Sequence, residues 1–192
     1  MNPSVLLVLA LGLGSPDQPA PVQPAGAPTP IPSTKVTEVR PGLHIGGLAT
    51  YDILMNLKKN GIRTVVHLRP EKEFMSGPGT ERAAVELQGL RYVHAPVTPG
   101  FEDEEVDAFR AALRTVDLKQ GVYMHCFNGN RASGALLTWL VLDEKMPLAE
   151  ALVVARKGGL TMVKIENAAR FYISRNGGPA YEEQKAPVAG MP

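Results

Sequence analysis

A single cysteine, Cys126, is all the thiol chemistry this 192-residue chain possesses. That excludes an intramolecular disulfide framework and any multi-cysteine zinc or iron–sulfur site. Charge of one sign is equally scarce: 20 Lys and Arg against 19 Asp and Glu leave a formal +1. No global field therefore draws in nucleic acid or an anionic membrane, and any bound anion must be held locally. Aromatics make up 6% of the residues, and no basic stripe carries interleaved aromatics as single-stranded nucleic-acid binders do. The histidines at 44, 67, 94 and 125 have no metal-ligand spacing along the chain, so neither a metal nor a cofactor is expected. No internal repeat is visible, and the length suits one domain with one sizeable core.

The apolar run VLLVLALGLG near the N-terminus is well short of the ~20 residues of a membrane-spanning helix and matches the core of a signal peptide. The segment 1–15 is read as such a leader, with small residues at Gly12 and Gly14, or at Ala25 and Ala27, available to a signal peptidase. No Lys or Arg precedes the run, which keeps a retained anchor open and makes a membrane contact conditional on it. Export to the periplasm or the exterior is the expectation. Seven prolines in the seventeen residues 16–32 cannot pack a core, so 16–34 is expected to be a stiff extended spacer of ~3 Å per residue. The loose composition of 176–192 predicts a flexible tail.

Between 35 and 175 short apolar, β-branched runs alternate with amphipathic stretches. Strands are expected over 36–40, 43–45, 62–68, 91–97 and 121–125, and helices over 51–59, 80–88, 102–116, 132–145, 148–157 and 163–174. Strands separated by single helices imply a single α/β domain with a mostly parallel central sheet flanked by helices on both faces.

The informative segment is GVYMHCFNGNRASGALL, residues 121–137. A hydrophobic strand ends in His125 and Cys126, a tight turn contains Gly129, and a helix follows at once. In a parallel α/β sheet ligands bind at the carboxyl ends of strands, where the next helix aims its unpaired N–H groups. The turn is therefore expected to cradle an anion through the backbone of Phe127, Asn128, Gly129 and Asn130, with Gly129 letting successive amides converge. Arg131 supplies a two-pronged grip on a tetrahedral oxyanion. The same positive groups favour the thiolate of Cys126, the candidate nucleophile. Ser133 is expected to hydrogen-bond the sulfur, and His125 to orient the loop. Arg69, Glu71 and Glu73 either line this pocket or form an ion pair, and His67 and His94 are expected as hydrogen-bonded core residues.

HCFNGNRAS resembles the phosphate-binding loop of cysteine-dependent phosphatases, and PGLHIGGLAT, GIRTVVHLRPEKEF and LRYVHAPV resemble the same superfamily in the same order. The chain is most similar to the beta-lactamase-hydrolase-like, or DUF442, phosphatase-like family, close to the dual-specificity phosphatases. The resemblance implies a phosphatase-like domain in which Cys126 attacks phosphorus, Arg131 holds the phosphoryl oxygens, and a cysteinyl phosphate is then hydrolysed. The expected partner is a small phosphate-bearing or sulfur-bearing substrate, or a phosphoprotein.

Two departures from the tyrosine-phosphatase pattern carry consequences. Four residues rather than five separate Cys126 from Arg131, with Ala132 in the arginine's usual place. Rhodaneses share that spacing, so a sulfurtransferase working through a Cys126 persulfide is the leading alternative, and a catalytically silent anion-binding module is a third. The second departure concerns the general acid: the loop after the fourth strand is TPGF, and the first carboxylates beyond it are Glu102 and Asp103. Asp103 is taken as the candidate acid, Glu102 as second.

Overall fold

The computed structural model describes residues 35–74 and 79–184. The expected leader over 1–15 and spacer over 16–34 lie outside the described residues. Five strands form one sheet: β1 (Val36–Arg40), β2 (Leu43–Gly46), β3 (Thr64–His67), β4 (Arg91–His94) and β5 (Val122–His125). Their spatial order is β1-β2-β5-β3-β4. Only the β1–β2 pair is antiparallel, which its two-residue Pro41-Gly42 turn allows; β2, β5, β3 and β4 run parallel. The expected single α/β domain with a mostly parallel sheet is the observed fold.

Among the described residues six α-helices cover the sheet: α1 (Tyr51–Asn56), α2 (Thr80–Glu86), α3 (Asp103–Leu113), α4 (Asn130–Leu142), α5 (Leu148–Lys157) and α6 (Val163–Arg175). Because strand side chains alternate faces, Val65 and Tyr123 face one side of the sheet while their neighbours Val66 and Met124 face the other. The first pair packs with Leu54 of α1 and Val85 of α2; the second packs with α3, α4, α5 and α6 in the larger cluster. All thirteen residues of α4 are buried, as its nearly all-apolar sequence requires of a central helix.

The sequence places the start of α4 at 132, two residues late. Gly129 sits at φ 87° and caps the helix, so Asn130 and Arg131 already belong to its first turn. The strands β3 and β4 end earlier than expected, at His67 and His94, although the Ala95 and Val97 amides still donate to His67 O and Leu68 O at 3.0 Å on either side of Pro96, which has no N–H to give. The first part of the expected flexible tail is docked instead: Asn167 and Gln184 exchange two hydrogen bonds of 2.9 Å, and Tyr181 meets Phe171 edge-on at 5.4 Å.

Candidate active site

The turn after β5 is fixed from three sides. The Leu48 amide donates to Phe127 O at 3.0 Å, and the Asn130 amide donates to Asn128 Oδ1 at 3.2 Å. Asn130 Oδ1 accepts from the amides of Thr161 and Met162 at 2.8 and 2.7 Å, lashing the first turn of α4 to the start of α6. Gly129 is needed for its positive φ, and a Cβ there would also come within 3.2 Å of Gly158 O. As in any helix, the first-turn N–H groups of α4 point back toward its N-terminus, here the turn itself.

Cys126 follows His125 by one residue and therefore points to the opposite face of the sheet, toward α4. It is fully buried and packs with the larger apolar cluster. Arg131 is also buried, with 7% of its surface exposed. Its two terminal nitrogens donate to both carboxylate oxygens of Glu73 at 3.0 and 2.5 Å, and one of them also donates to Val97 O at 3.3 Å. Glu73 thus holds the guanidinium in a planar, two-pronged pair that fixes its orientation. Arg69 joins the same group: it donates to Glu73 O, and its guanidinium lies 5.6 Å from the centre of the Phe127 ring. Of the two readings open for Arg69 and Glu73, the ion pair is the observed one, and its second cation is Arg131.

Not every candidate comes to the turn. Asp103 accepts a hydrogen bond from Arg175 of α6 at 2.7 Å in an exposed pair. Among the described residues no hydrogen bond joins it to residues 126–131. Glu105, two residues on, caps the preceding loop by accepting from the amide and hydroxyl of Thr98 at 2.8 and 2.7 Å. The Ser133 hydroxyl is buried without a hydrogen-bond partner; it makes no bond to the Cys126 sulfur and lies 2.8 Å from where a Cβ on Gly158 would stand. The side chains of Asn128 and Asn130 are spent on building the turn.

The sheet register also assembles a group that chain spacing conceals. His94, His67 and His125 occupy one row across β4, β3 and β5, each directly opposite the next. His67 and His125 stack with centroids 4.4 Å apart. Glu81 of α2 reaches His125 Nε2 at 2.7 Å and His67 Nδ1 at 3.3 Å, while the Tyr92 hydroxyl lies 2.6 Å from His67 Nδ1. His94 Nε2 is 2.7 Å from Arg69 O, tying the row to the Arg69–Glu73–Arg131 group. Burial lowers the pKa of His67 to about 2, with the neighbouring charges of His125, His94, Arg69 and Arg131 acting in the same direction. Burial likewise pushes the Tyr92 phenol up, assisted by Glu81.

A histidine kept neutral in the fold but free to protonate when unfolded costs stability as pH falls. Below the unfolded pKa of ~6.5 the unfolded chain takes up a proton the native chain refuses, a loss of about 1.4 kcal/mol per pH unit. With His67 titrating only near about 2, that slope persists throughout the acid range. Denaturant unfolding in chelator-treated buffer should therefore show His67→Asn losing about 2 kcal/mol less than the parent between pH 7 and pH 5. Parallel pH profiles for the two proteins would contradict the neutral His67.

A mostly parallel five-stranded sheet presents a cysteine at a strand end and an arginine in the first turn of the following central helix, the arrangement expected of a phosphatase-like domain of the protein tyrosine and dual-specificity superfamily. Residues 42–145, more than half of the chain, match the family described as "Polymorphic toxin system, DSP-PTPase phosphatase". The chain belongs to that family. The beta-lactamase hydrolase-like proteins of Xylella fastidiosa strains Temecula1 and 9a5c are each 28% identical to it over 131 residues, covering 67% of this chain and 30% of theirs. It therefore spans less than a third of the length of those relatives. Among solved structures, a DUF442 candidate phosphatase from Shewanella putrefaciens CN-32 superposes with TM-score 0.60 at 23% identity, covering 74% of this chain and 93% of that one. The core catalytic domain of the S. cerevisiae PP-IP phosphatase SIW14 superposes with TM-score 0.57 at 15% identity, covering 76% and 90%. At such identities these two likenesses show the fold.

Proposed function

We propose that the domain hydrolyses phosphate monoesters through a phosphoryl group carried on Cys126. The observation that carries this reading is the placement of Cys126 and Arg131 at the two ends of one Gly129-capped turn, with Glu73 gripping the guanidinium through two hydrogen bonds. The Cys126 thiolate attacks phosphorus, the bond from phosphorus to the ester oxygen breaks, and the leaving oxygen departs with the electron pair and takes a proton from water. Arg131 and the first-turn amides of α4 hold the three equatorial oxygens while charge gathers on them. Water then attacks phosphorus, the sulfur–phosphorus bond breaks, and inorganic phosphate leaves with the thiolate restored. His125 acts by positioning, because Glu81 fixes its ring beside the strand end from which Cys126 departs.

The placement of Asp103 bears on the substrate. With its carboxylate committed to Arg175, no general acid is supplied from 103, and esters whose leaving oxygen needs no protonation, such as aryl phosphates, turn over fastest. Asp103→Asn is accordingly expected to change kcat for an alkyl phosphate, whose leaving oxygen does need a proton, by less than about threefold, where loss of a general acid costs about a hundredfold or more. A kcat loss of the larger size, with a lost alkaline limb in the pH profile, would make Asp103 the acid after all.

The reaction class is tested by giving the reduced protein an aryl phosphate in one assay and thiosulfate with cyanide in another. Phosphate release that vanadate suppresses is the expected result; thiocyanate formation without phosphate release would make the protein a sulfurtransferase. The proline-rich spacer and apolar leader support action outside the cytoplasm on an exported ester or phosphoprotein. Comparing the protein's length and compartment in fractionated cells tests that: a full-length cytoplasmic chain would contradict it.

A further inference from the structure

Strand periodicity puts His67 and His125 on the face of the sheet opposite Cys126, where they meet α2. There Nδ1 of His67, Nε2 of His125 and a carboxylate oxygen of Glu81 all lie within 4.8 Å of one another, the one such grouping of potential metal ligands among the described residues. The Glu81 oxygen is 2.7 Å from one nitrogen and 3.3 Å from the other, separations that atoms about 2.0–2.2 Å from a common ion can span. The rings are walled in place: Phe74 stacks on His67 at 4.7 Å and Tyr123 on His125 at 5.1 Å. The side chains of His67 and His125 are 2% and 0% exposed, and that of Glu81 18%. The cluster is nevertheless reachable, because His67 and Glu81 line a groove of about 360 Å³ beside Leu48, Tyr51 and Phe74.

We propose that His67, Glu81 and His125 form a binding site for a divalent transition-metal ion, with the Tyr92 hydroxyl or water at the fourth position. Two imidazoles and one carboxylate select a borderline ion such as Zn²⁺ over Ca²⁺ or Mg²⁺, which prefer oxygen alone. The two rings are stacked with only 27° between their planes, so an ion must draw one of them round. Affinity on the order of micromolar is expected rather than that of a fully preformed site. The ion would tie α2 to β3 and β5 without using the thiol. At a hundred times Kd it would shift the folding equilibrium by about a hundredfold.

The experiment is a Zn²⁺ titration of tag-free, reduced protein carrying Cys126→Ser, by competition with a chromophoric chelator, followed by Co²⁺ substitution and nitrogen-detected histidine NMR. Expected are one ion per chain, Co²⁺ d–d bands, and ring-nitrogen shifts at His67 and His125 but not at His44. Glu81→Gln should weaken binding by roughly a hundredfold or more, since loss even of a supporting group costs about 10–100-fold; His44→Gln should leave it unchanged. The NMR arm needs no variant at the site, so it stands even if Glu81→Gln misfolds. The proposal is overturned if Kd exceeds about 1 mM, if binding survives Glu81→Gln in a folded protein, or if the shifted nitrogens are those of His44.

Discussion

Replacing Cys126 with serine is expected to lower phosphate release from an aryl phosphate by about ten-thousandfold or more, because the reaction loses its nucleophile rather than a supporting contact. A serine hydroxyl at this position stays protonated, and the adjacent histidine, His125, is turned to the other face of the sheet and held by Glu81 rather than aimed at the hydroxyl. Anion binding should persist, because Arg131 and the helix amides are untouched. Inorganic phosphate or vanadate should therefore bind the variant within about tenfold of the parent affinity, a difference of ~1.4 kcal/mol. The variant also puts a hydroxyl where a sulfur with no exposed surface packs in an apolar cluster; a loss of about 1–3 kcal/mol of stability accompanies it. Residual activity within tenfold of the parent would mean that Cys126 is a core residue and that the chemistry lies elsewhere.

Arg131→Lys is the second large effect. Lysine keeps the charge but has no planar fork, so it cannot engage Glu73 through two parallel bonds while presenting the rest of the group to an anion. Activity is expected to fall by about a hundredfold to a thousandfold, the cost of losing one well-aimed donor to developing charge. Arg131→Ala should fall further and also lose stability, because Glu73, with 30% of its side chain exposed, would keep a charge without its main partner. Glu73→Gln separates orientation from charge: the guanidinium remains but its two-pronged anchor is weakened, so KM for the ester and Ki for vanadate should rise together. If Arg131→Lys retained full activity, the fork would have no part in holding the phosphoryl group.

Much of the fold was legible because its signals are local. The β-branched run around Val65 and Val66, the alternation with amphipathic segments and the strand–turn–helix around Gly129 each depend on neighbours a few residues away. The start of α4 was misplaced by two residues because Asn130 and Arg131 are polar and read as turn. In fact Asn130 is buried as the clamp for Thr161 and Met162, and Arg131 as the partner of Glu73. Neither role has a trace in the local pattern, since the partners lie 31 or more residues away. The histidine row was hidden for the same reason. It depends on β3, β4 and β5 stopping in register, and spacing along the chain carries no information about register across a sheet. Position after the fourth strand points to Asp103, but the neighbour that claims it, Arg175, is at the far end of α6. The available signal for Glu73 was its place in the acidic loop after β3, at the same sheet edge as Cys126.

The most direct measurement is the chemical state of Cys126 during turnover. Reduced protein mixed with an aryl phosphate, quenched in acid within the first turnovers and digested should yield the Cys126 peptide carrying one phosphoryl group, with the leaving phenol released in a burst of equal amount. An unmodified peptide at every quench time while phosphate accumulates, or a peptide carrying an extra sulfur atom instead, would contradict the phosphoryl-cysteine account.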